Sequence, residues 1–386
     1  MRNKPLIFGS PAIGNDEIEE VVSVLQSGWL GTGPKVAQFQ NNFAAYKGIE
    51  HAVALNSCTA ALHLSILAAG IGKGDEVITT PLTFCATINA IIHAGATPVL
   101  ADIDPVTMNI SVSEVQNKIT NKTKAIIPVH FAGRSCDMNT LCNIAENNKL
   151  KIIEDCAHAI ETEFHGQKTG TFGDFGCFSF YVTKNVVTGE GGMVITKNEE
   201  DAARIKTLGL HGMSKDAWKR FGDEGYKHYQ VVECGYKYNM MDLQAAIGIH
   251  QLQRVETNWI RRQEIWNRYN EALADLPITL PAPIEPNTRH AYHLYTVLID
   301  EHQCGISRDK FLEAMSSQNI GVGVHYLSIP EHPYYQQTYS WRPGDYPHAS
   351  RIGTQTVSLP LSAKLSDHDI DDVICAAFKT LANKTK

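Results

Sequence analysis

Between Asp174 and Glu190 the chain carries one formal charge, Lys184, set among Phe178, Phe180, Tyr181, Val182, Val186 and Val187. A lone lysine most often solvates a surface. A lysine flanked by apolar residues is instead a candidate for desolvation, which lowers its pKa and frees the amine as nucleophile or Schiff-base former. The Gly189-Glu190-Gly191-Gly192 turn just beyond permits close backbone approach to a ligand. In KIIEDCAHA, Asp155 ends an apolar run that reads as a buried strand, where open α/β sheets place their ligand sites.

A carboxylate there can pair with the protonated ring nitrogen of a cofactor, and pyridoxal phosphate needs such a partner to withdraw electrons. His158, three residues on, is placed to hydrogen-bond a ring hydroxyl or stack on the ring, or to be a packed histidine at a helix start. In NSCTAALHLS, small and hydroxylated residues (Ser57, Cys58, Thr59, Ala60) stand where a strand gives way to a helix. Free N–H groups and the positive helix end make that a phosphate seat, although any N-capped helix looks similar. Ser179 can add a hydroxyl to the same phosphate. Phe84 either lies flat on a cofactor ring or packs in the core. There is no P-loop, no dinucleotide glycine motif after a strand, no HExxH and no GxSxG. The sixteen histidines show no metal-ligand spacing, and no metal is expected.

The elements that must hold these groups alternate from about residue 50 to 195. HAVALN, DEVITT, TPVLADI, KAIIPVH and KIIEDC read as strands, with helices from Ser57, through TFCATINAIIHAG and from Asp137 between them. That alternation predicts an α/β fold with a mostly parallel sheet covered on both faces, and right-handed crossovers. After about residue 240, DLQAAIGIHQLQRVETNWIRRQEIWNRYNEAL reads as one long helix, followed by a Pro-rich connector. A smaller α+β domain follows, with the strand YHLYTVLID and helices from Ser307 and Ser366, both good N-caps. The expected division is a large domain over 1–250 and a linker helix with the small domain over 251–386.

The chain has 386 residues, 43% apolar and 19% charged, which excludes wholesale disorder and is too long for one ordinary core. A net charge of −7 gives no electrostatic case for nucleic acid. Nine cysteines, odd in number and never spaced as CxxC, point away from disulfides and toward a reducing cytoplasm. The start MRNKPLIFGSPAIGNDE lacks the apolar core of a signal peptide. Val77 to Ala101 is uncharged and of membrane-spanning length, but its Pro81, Asn89, His93, Gly95 and Pro98 favour strand, helix and strand in a soluble protein.

In order and spacing, these segments resemble the sugar aminotransferases of the DegT/DnrJ/EryC1/StrS family, pyridoxal phosphate enzymes of fold type I, like aspartate aminotransferase. The likeness runs through GWLGTGPKVAQF (28–39), NSCTAALHL (56–64), DEVITTPLTFCAT (75–87), EDCAHA (154–159), SFYVTKNVVTGEGGMV (179–194), GYKYNMMDLQAAIG (235–248) and VHYLSIPEHPYY (324–335). It implies a homodimer with shared sites, acting on a nucleotide-linked ketosugar with an amino-acid donor, glutamate first.

Position by position, the resemblance makes Lys184 the Schiff-base lysine that also shuttles the proton, and Asp155 the partner of the ring nitrogen. It puts His158 near the ring hydroxyl, Thr59, Ala60 and Ser179 on the phosphate, and Phe84 on the ring. Trp29, Thr32, Tyr181, His325 and Tyr326 fall near the sugar. Where many members read Gly-x-Asn-x-Arg, this chain has Lys237 at the asparagine and Asn239 two places on; either can reach a partner subunit's phosphate. Dehydratases of the family carry histidine in place of the lysine, so Lys184 implies amino transfer. HGMSKDAWKR and HYLSIPEHPYY resemble the subgroup that makes 4-amino sugars for surface polysaccharides, which favours C4 of a UDP- or dTDP-linked 6-deoxyhexose over C3. A non-catalytic regulator of the same fold is the remaining alternative.

Overall fold

The computed structural model describes residues 2, 4–214 and 229–382. Two helices, α1 (Asn15–Ser27) and α2 (Pro34–Lys47), precede the strand β1 (His51–Leu55). Strand and helix then alternate through α3 (Cys58–Ala68), β2 (Glu76–Thr79), α4 (Cys85–His93), β3 (Thr97–Leu100), α5 (Val112–Lys118), β4 (Thr123–Ile127), α6 (Met138–Asn148) and β5 (Lys151–Asp155). The short strands β6 (Glu163–Phe164) and β7 (Gln167–Lys168) come before β8 (Phe175–Ser179), β9 (Gly192–Thr196) and α7 (Glu199–Gly209).

Seven strands form one sheet in the order β1-β9-β8-β5-β4-β2-β3. From β3 to β8 all neighbours are parallel, and β9 runs antiparallel to both β8 and β1. Only β9 is therefore reversed. The carboxyl ends of the other six lie along one edge, together with the start of β9. Val77, Ile78, Ile126 and Ile153 are fully buried, as expected of strands covered on both faces. The uncharged stretch from Val77 to Ala101 is β2, α4 and β3, and among the described residues no helix is long and apolar enough to cross a membrane.

The long helix expected after residue 240 is two helices, α8 (Asp242–Gln253) and α9 (Val255–Ala272), broken at Arg254 with φ −97° and ψ 4°. Each helix faces a different core. Ala245, Ile249 and Leu252 pack with Phe39, Phe43 and Phe180 beside the sheet, whereas Ile265, Trp266 and Tyr269 pack with the carboxy-terminal elements. A single straight axis cannot turn its apolar stripe to both. Arg254 is held at the break by Glu17 of α1 and the carbonyl of Ala12.

Beyond α9, β10 (Thr288–Arg289) joins β6 and β7 in a small sheet. The strand β11 (Tyr295–Leu298) is followed by α10 (Glu301–Cys304), α11 (Arg308–Ser317), α12 (Pro333–Tyr339) and α13 (Pro347–Gln355). It pairs antiparallel with β12 (Thr356–Leu359), and α14 (Asp367–Ala382) closes the described chain. The Ser307 hydroxyl caps α11 by accepting from Lys310 N–H, as its sequence signature predicted. Leu6, from the opposite end of the chain, packs into this carboxy-terminal cluster.

Candidate active site

The carboxyl edge of the sheet opens into a cavity of about 520 Å³. Each wall residue is delivered by the end of an element. Thr59 comes from the start of α3 after β1, and Phe84 from the residue that precedes α4. Asp155 and His158 follow from β5, Ser179 from the end of β8, and Tyr181 and Lys184 from the turn beyond it. His325 and Tyr326 come from the carboxy-terminal part of the chain and complete the wall.

Lys184 sits in a turn whose backbone N–H donates to Tyr181 O at 2.9 Å. Its amine makes no hydrogen bond or ion pair with any other described residue, and burial lowers its pKa to about 8 against the smaller opposing pull of Cys58 and Asp155. A good part of the amine is therefore neutral near physiological pH, as a nucleophile requires.

Asp155 is 5% exposed. The Thr87 hydroxyl donates to its Oδ2 at 2.8 Å and the Ala157 N–H to its Oδ1 at 3.1 Å. Thr83 Oγ1 lies 2.8 Å from Thr87 Oγ1, so the α4 start braces the carboxylate. Burial nonetheless raises its pKa, which leaves a carboxylate that a cation in the cavity would stabilise. Sequence reading missed Thr83 and Thr87. A threonine in TFCAT looks like an ordinary first-turn residue, and its partner lies 68 positions away.

At the α3 start the Ser57 hydroxyl accepts from Ala60 N–H at 3.1 Å. Ala60 is buried and does not line the cavity, so one of the amides expected to be free is already used; Thr59 does line it. Glu190 and Gly191 of the glycine turn line the cavity, whereas Gly192 packs against protein. A Cβ on Gly192 would lie 2.6 Å from Cys58 N and closer still to the Ser57 carbonyl, so only glycine lets β9 pack against the helix start.

Phe84 is 58% exposed, with its ring 6.0 Å from that of Tyr326. His158 Nδ1 accepts from Ala132 N–H at 3.3 Å, and its Nε2 lies 2.9 Å from the Tyr326 hydroxyl. Burial, together with the Lys184 charge, depresses its pKa and keeps the ring neutral. His325 contacts Ser358 Oγ at 2.8 Å and stacks on Phe8; burial lowers its pKa to about 4.

Four more of the expected residues stand elsewhere. Trp29, Thr32 and Asn239 line a separate cavity of about 640 Å³ beside β1. There Asn239 Nδ2 donates to Thr32 Oγ1 at 2.7 Å, and Trp29 Nε1 to Thr32 O at 3.1 Å. Lys237 is exposed, lines neither cavity, and accepts from Asn56 Nδ2 through its carbonyl at 3.3 Å. Within one chain these residues do not line the Lys184 cavity, and the sequence reading already gives Lys237 and Asn239 to a partner subunit's site. Of HGMSKDAWKR, residues 215–220 lie outside the described residues.

Residues 11–378 match the DegT/DnrJ/EryC1/StrS aminotransferase family. The chain belongs to that family. It is 49% identical over 374 residues to the spore coat polysaccharide biosynthesis protein SpsC of Bacillus subtilis, covering 97% of this chain and 96% of that one. Spr1654 from Streptococcus pneumoniae, described as a candidate sugar aminotransferase, superposes in its PMP form with a TM-score of 0.91 at 33% identity, over 98% of this chain and 99% of its own. Its PLP form gives 0.90 at 32%. Helicobacter pylori PseC, an aminotransferase of pseudoaminic acid biosynthesis, gives 0.91 at 27%, over 98% of this chain and all of its own. The chain is a pyridoxal phosphate-dependent sugar aminotransferase of fold type I, and its cavity fits that cofactor: an amine of lowered pKa, a buried carboxylate wanting a cation, and a helix start for a phosphate.

Proposed function

We propose that this aminotransferase moves an amino group from glutamate to the C4 keto group of a UDP- or dTDP-linked 6-deoxyhexose, in the supply of amino sugars for a surface polysaccharide. The observation that carries amino transfer is Lys184 in the cavity wall, its amine without a hydrogen-bond or ion-pair partner among the described residues. The likeness to SpsC supports the polysaccharide assignment.

Pyridoxal phosphate, when bound, supplies an electrophilic carbonyl and an electron-withdrawing ring that carries nitrogen between donor and acceptor. Lys184 Nζ would anchor it and would then carry a proton off the donor's α-carbon onto the cofactor in the first half-reaction, and off the cofactor onto the sugar carbon in the second. Asp155, braced by Thr87 and Ala157 N–H, holds the charge on the ring nitrogen. Thr59 and Ser179, with the α3 start, would hold the phosphate, and Phe84 and His158 would bind the ring. Tyr181, His325 and Tyr326 face the sugar.

We place Trp29 and Thr32 of one subunit at the sugar site of its partner, with Asn239 or Lys237 reaching the partner's phosphate, in a homodimer with shared sites. Their position in a separate cavity supports that arrangement, because one chain alone cannot bring them to Lys184. We also retain the division into units over 1–250 and 251–386, near the helix break at Arg254.

The test is a panel of UDP- and dTDP-linked 4-keto and 3-keto sugars with glutamate, run on wild type and Lys184→Ala, with products identified by NMR. A 4-amino product from wild type alone is expected. A 3-amino product overturns the C4 assignment, and ammonia release without amine transfer overturns amino transfer itself.

A further inference from the structure

Behind the cavity wall lies a set of buried polar groups to which the reaction so far assigns nothing. Glu161, Asn185, His293 and Arg262 are respectively 0%, 6%, 4% and 5% exposed. Asn185 directly follows Lys184. Its side-chain nitrogen donates to both carboxylate oxygens of Glu161 and to Ala291 O, each at 2.9 Å. With its hydrogens so used, Asn185 presents Oδ1 as acceptor, 2.9 Å from His293 Nδ1. That nitrogen must therefore carry a proton.

The His293 ring packs on the His158 ring, with centroids 4.4 Å apart and planes 33° from each other. Ala132 N–H occupies His158 Nδ1, so the proton of the neutral His158 ring sits on Nε2 and is donated to the Tyr326 oxygen. The hydrogen of Tyr326 is then left to point elsewhere, and Tyr326 lines the cavity. Glu161 and His293 do not line it. Burial pushes the Glu161 carboxyl up to about 7 against the smaller opposing pull of Arg262, which is itself tied to the carbonyls of Leu361 and Tyr292 at 3.0 and 3.4 Å.

We propose that Glu161, Asn185 and His293 form a positioning chain that fixes His158 and thereby presents the Tyr326 hydroxyl to the Lys184 cavity as a hydrogen-bond donor. The carboxylate orients the Asn185 amide, the amide sets the proton on His293, and the His293 ring holds His158 in place. A supporting shell of this kind fixes a wall group that loop backbone alone leaves loose. The effect on rate rests on the amino-transfer reading; the effect on His158 does not.

The experiment uses the cofactor-loaded enzyme with 15N-labelled histidine, as wild type, Asn185→Ala, His293→Phe and Glu161→Gln. The imidazole nitrogen shifts of His158 report its tautomer, and kcat and KM are measured for each substrate. Wild type should show a proton on His158 Nε2. Asn185→Ala should mix the tautomers of His293, shift the His158 nitrogen signals as the ring packed on it loosens, and lower kcat by about tenfold to a hundredfold, with KM for the amino donor changed far less. His293→Phe keeps the stacked ring and should fall between the two. Glu161→Gln conserves shape, so it carries the test should Asn185→Ala fail to retain cofactor. Variants that fold with the wild-type His158 signal and wild-type kcat overturn the proposal. A wild type that turns over no ketosugar overturns only the amino-transfer reading, because the His158 signal still decides the chain.

Discussion

At Lys184, burial and chemistry ask for the same protonation state. Removing the amine from water favours its neutral form, so its pKa falls to about 8. In the cofactor-free protein, labelling of Lys184 by an amine-selective reagent should therefore rise through pH 8, where surface lysines react fully only near their ordinary value of about 10.4. Peptide mass spectrometry reads this directly, and a midpoint above 10 would contradict it. Lys184→Ala should lose turnover and the visible absorbance of the lysine-bound cofactor together. Thr87→Val takes a hydroxyl from the buried Asp155 carboxylate and should weaken cofactor binding by about tenfold in fluorescence titration of the cofactor-free protein. An unchanged affinity would show that the brace does not matter. Lys184 was legible in the sequence because its charge interrupts a long apolar run, and Asp155 because it stands at the carboxyl end of a strand. Thr87 and the His158–Tyr326 pair were not, since their partners stand 68 and 168 positions away and nothing local marks them.

The elements around the site were readable where their ends carry chemistry. Ser57, Asp137 and Ser307 all cap helices by accepting a backbone N–H from the first turn. Ser57→Ala should cost about 1 kcal/mol in urea denaturation. Gly192→Ala should cost more, about 2–3 kcal/mol, because its Cβ meets backbone rather than a movable side chain. A Gly192→Ala protein as stable as wild type would mean that β9 and α3 separate freely. The break at Arg254 escaped sequence reading because the apolar period continues through it. What ends the first helix is that Leu252 and Ile265 belong to different cores, a fact of packing and not of propensity.

For the molecule as a whole, the two cavities set the strongest test. If each site borrows residues from a second subunit, mixing Lys184→Ala chains with Asn239→Ala chains, then unfolding and refolding them together, should restore about a quarter of wild-type activity, since half the dimers are mixed and each holds one intact site. No recovery on mixing would argue for sites complete within one chain. The parallel sheet was legible as a class from its alternating runs, but the reversal of β9 was not, because its residues are as apolar as those of its parallel neighbours. The cavity wall joins Lys184 to Tyr326, about 140 positions further on. During synthesis the amine thus leaves the ribosome well before the tyrosine that encloses it. A nascent or truncated product ending short of His325 would carry the lysine without that part of its wall, more open to water and with less of the burial that lowers its pKa.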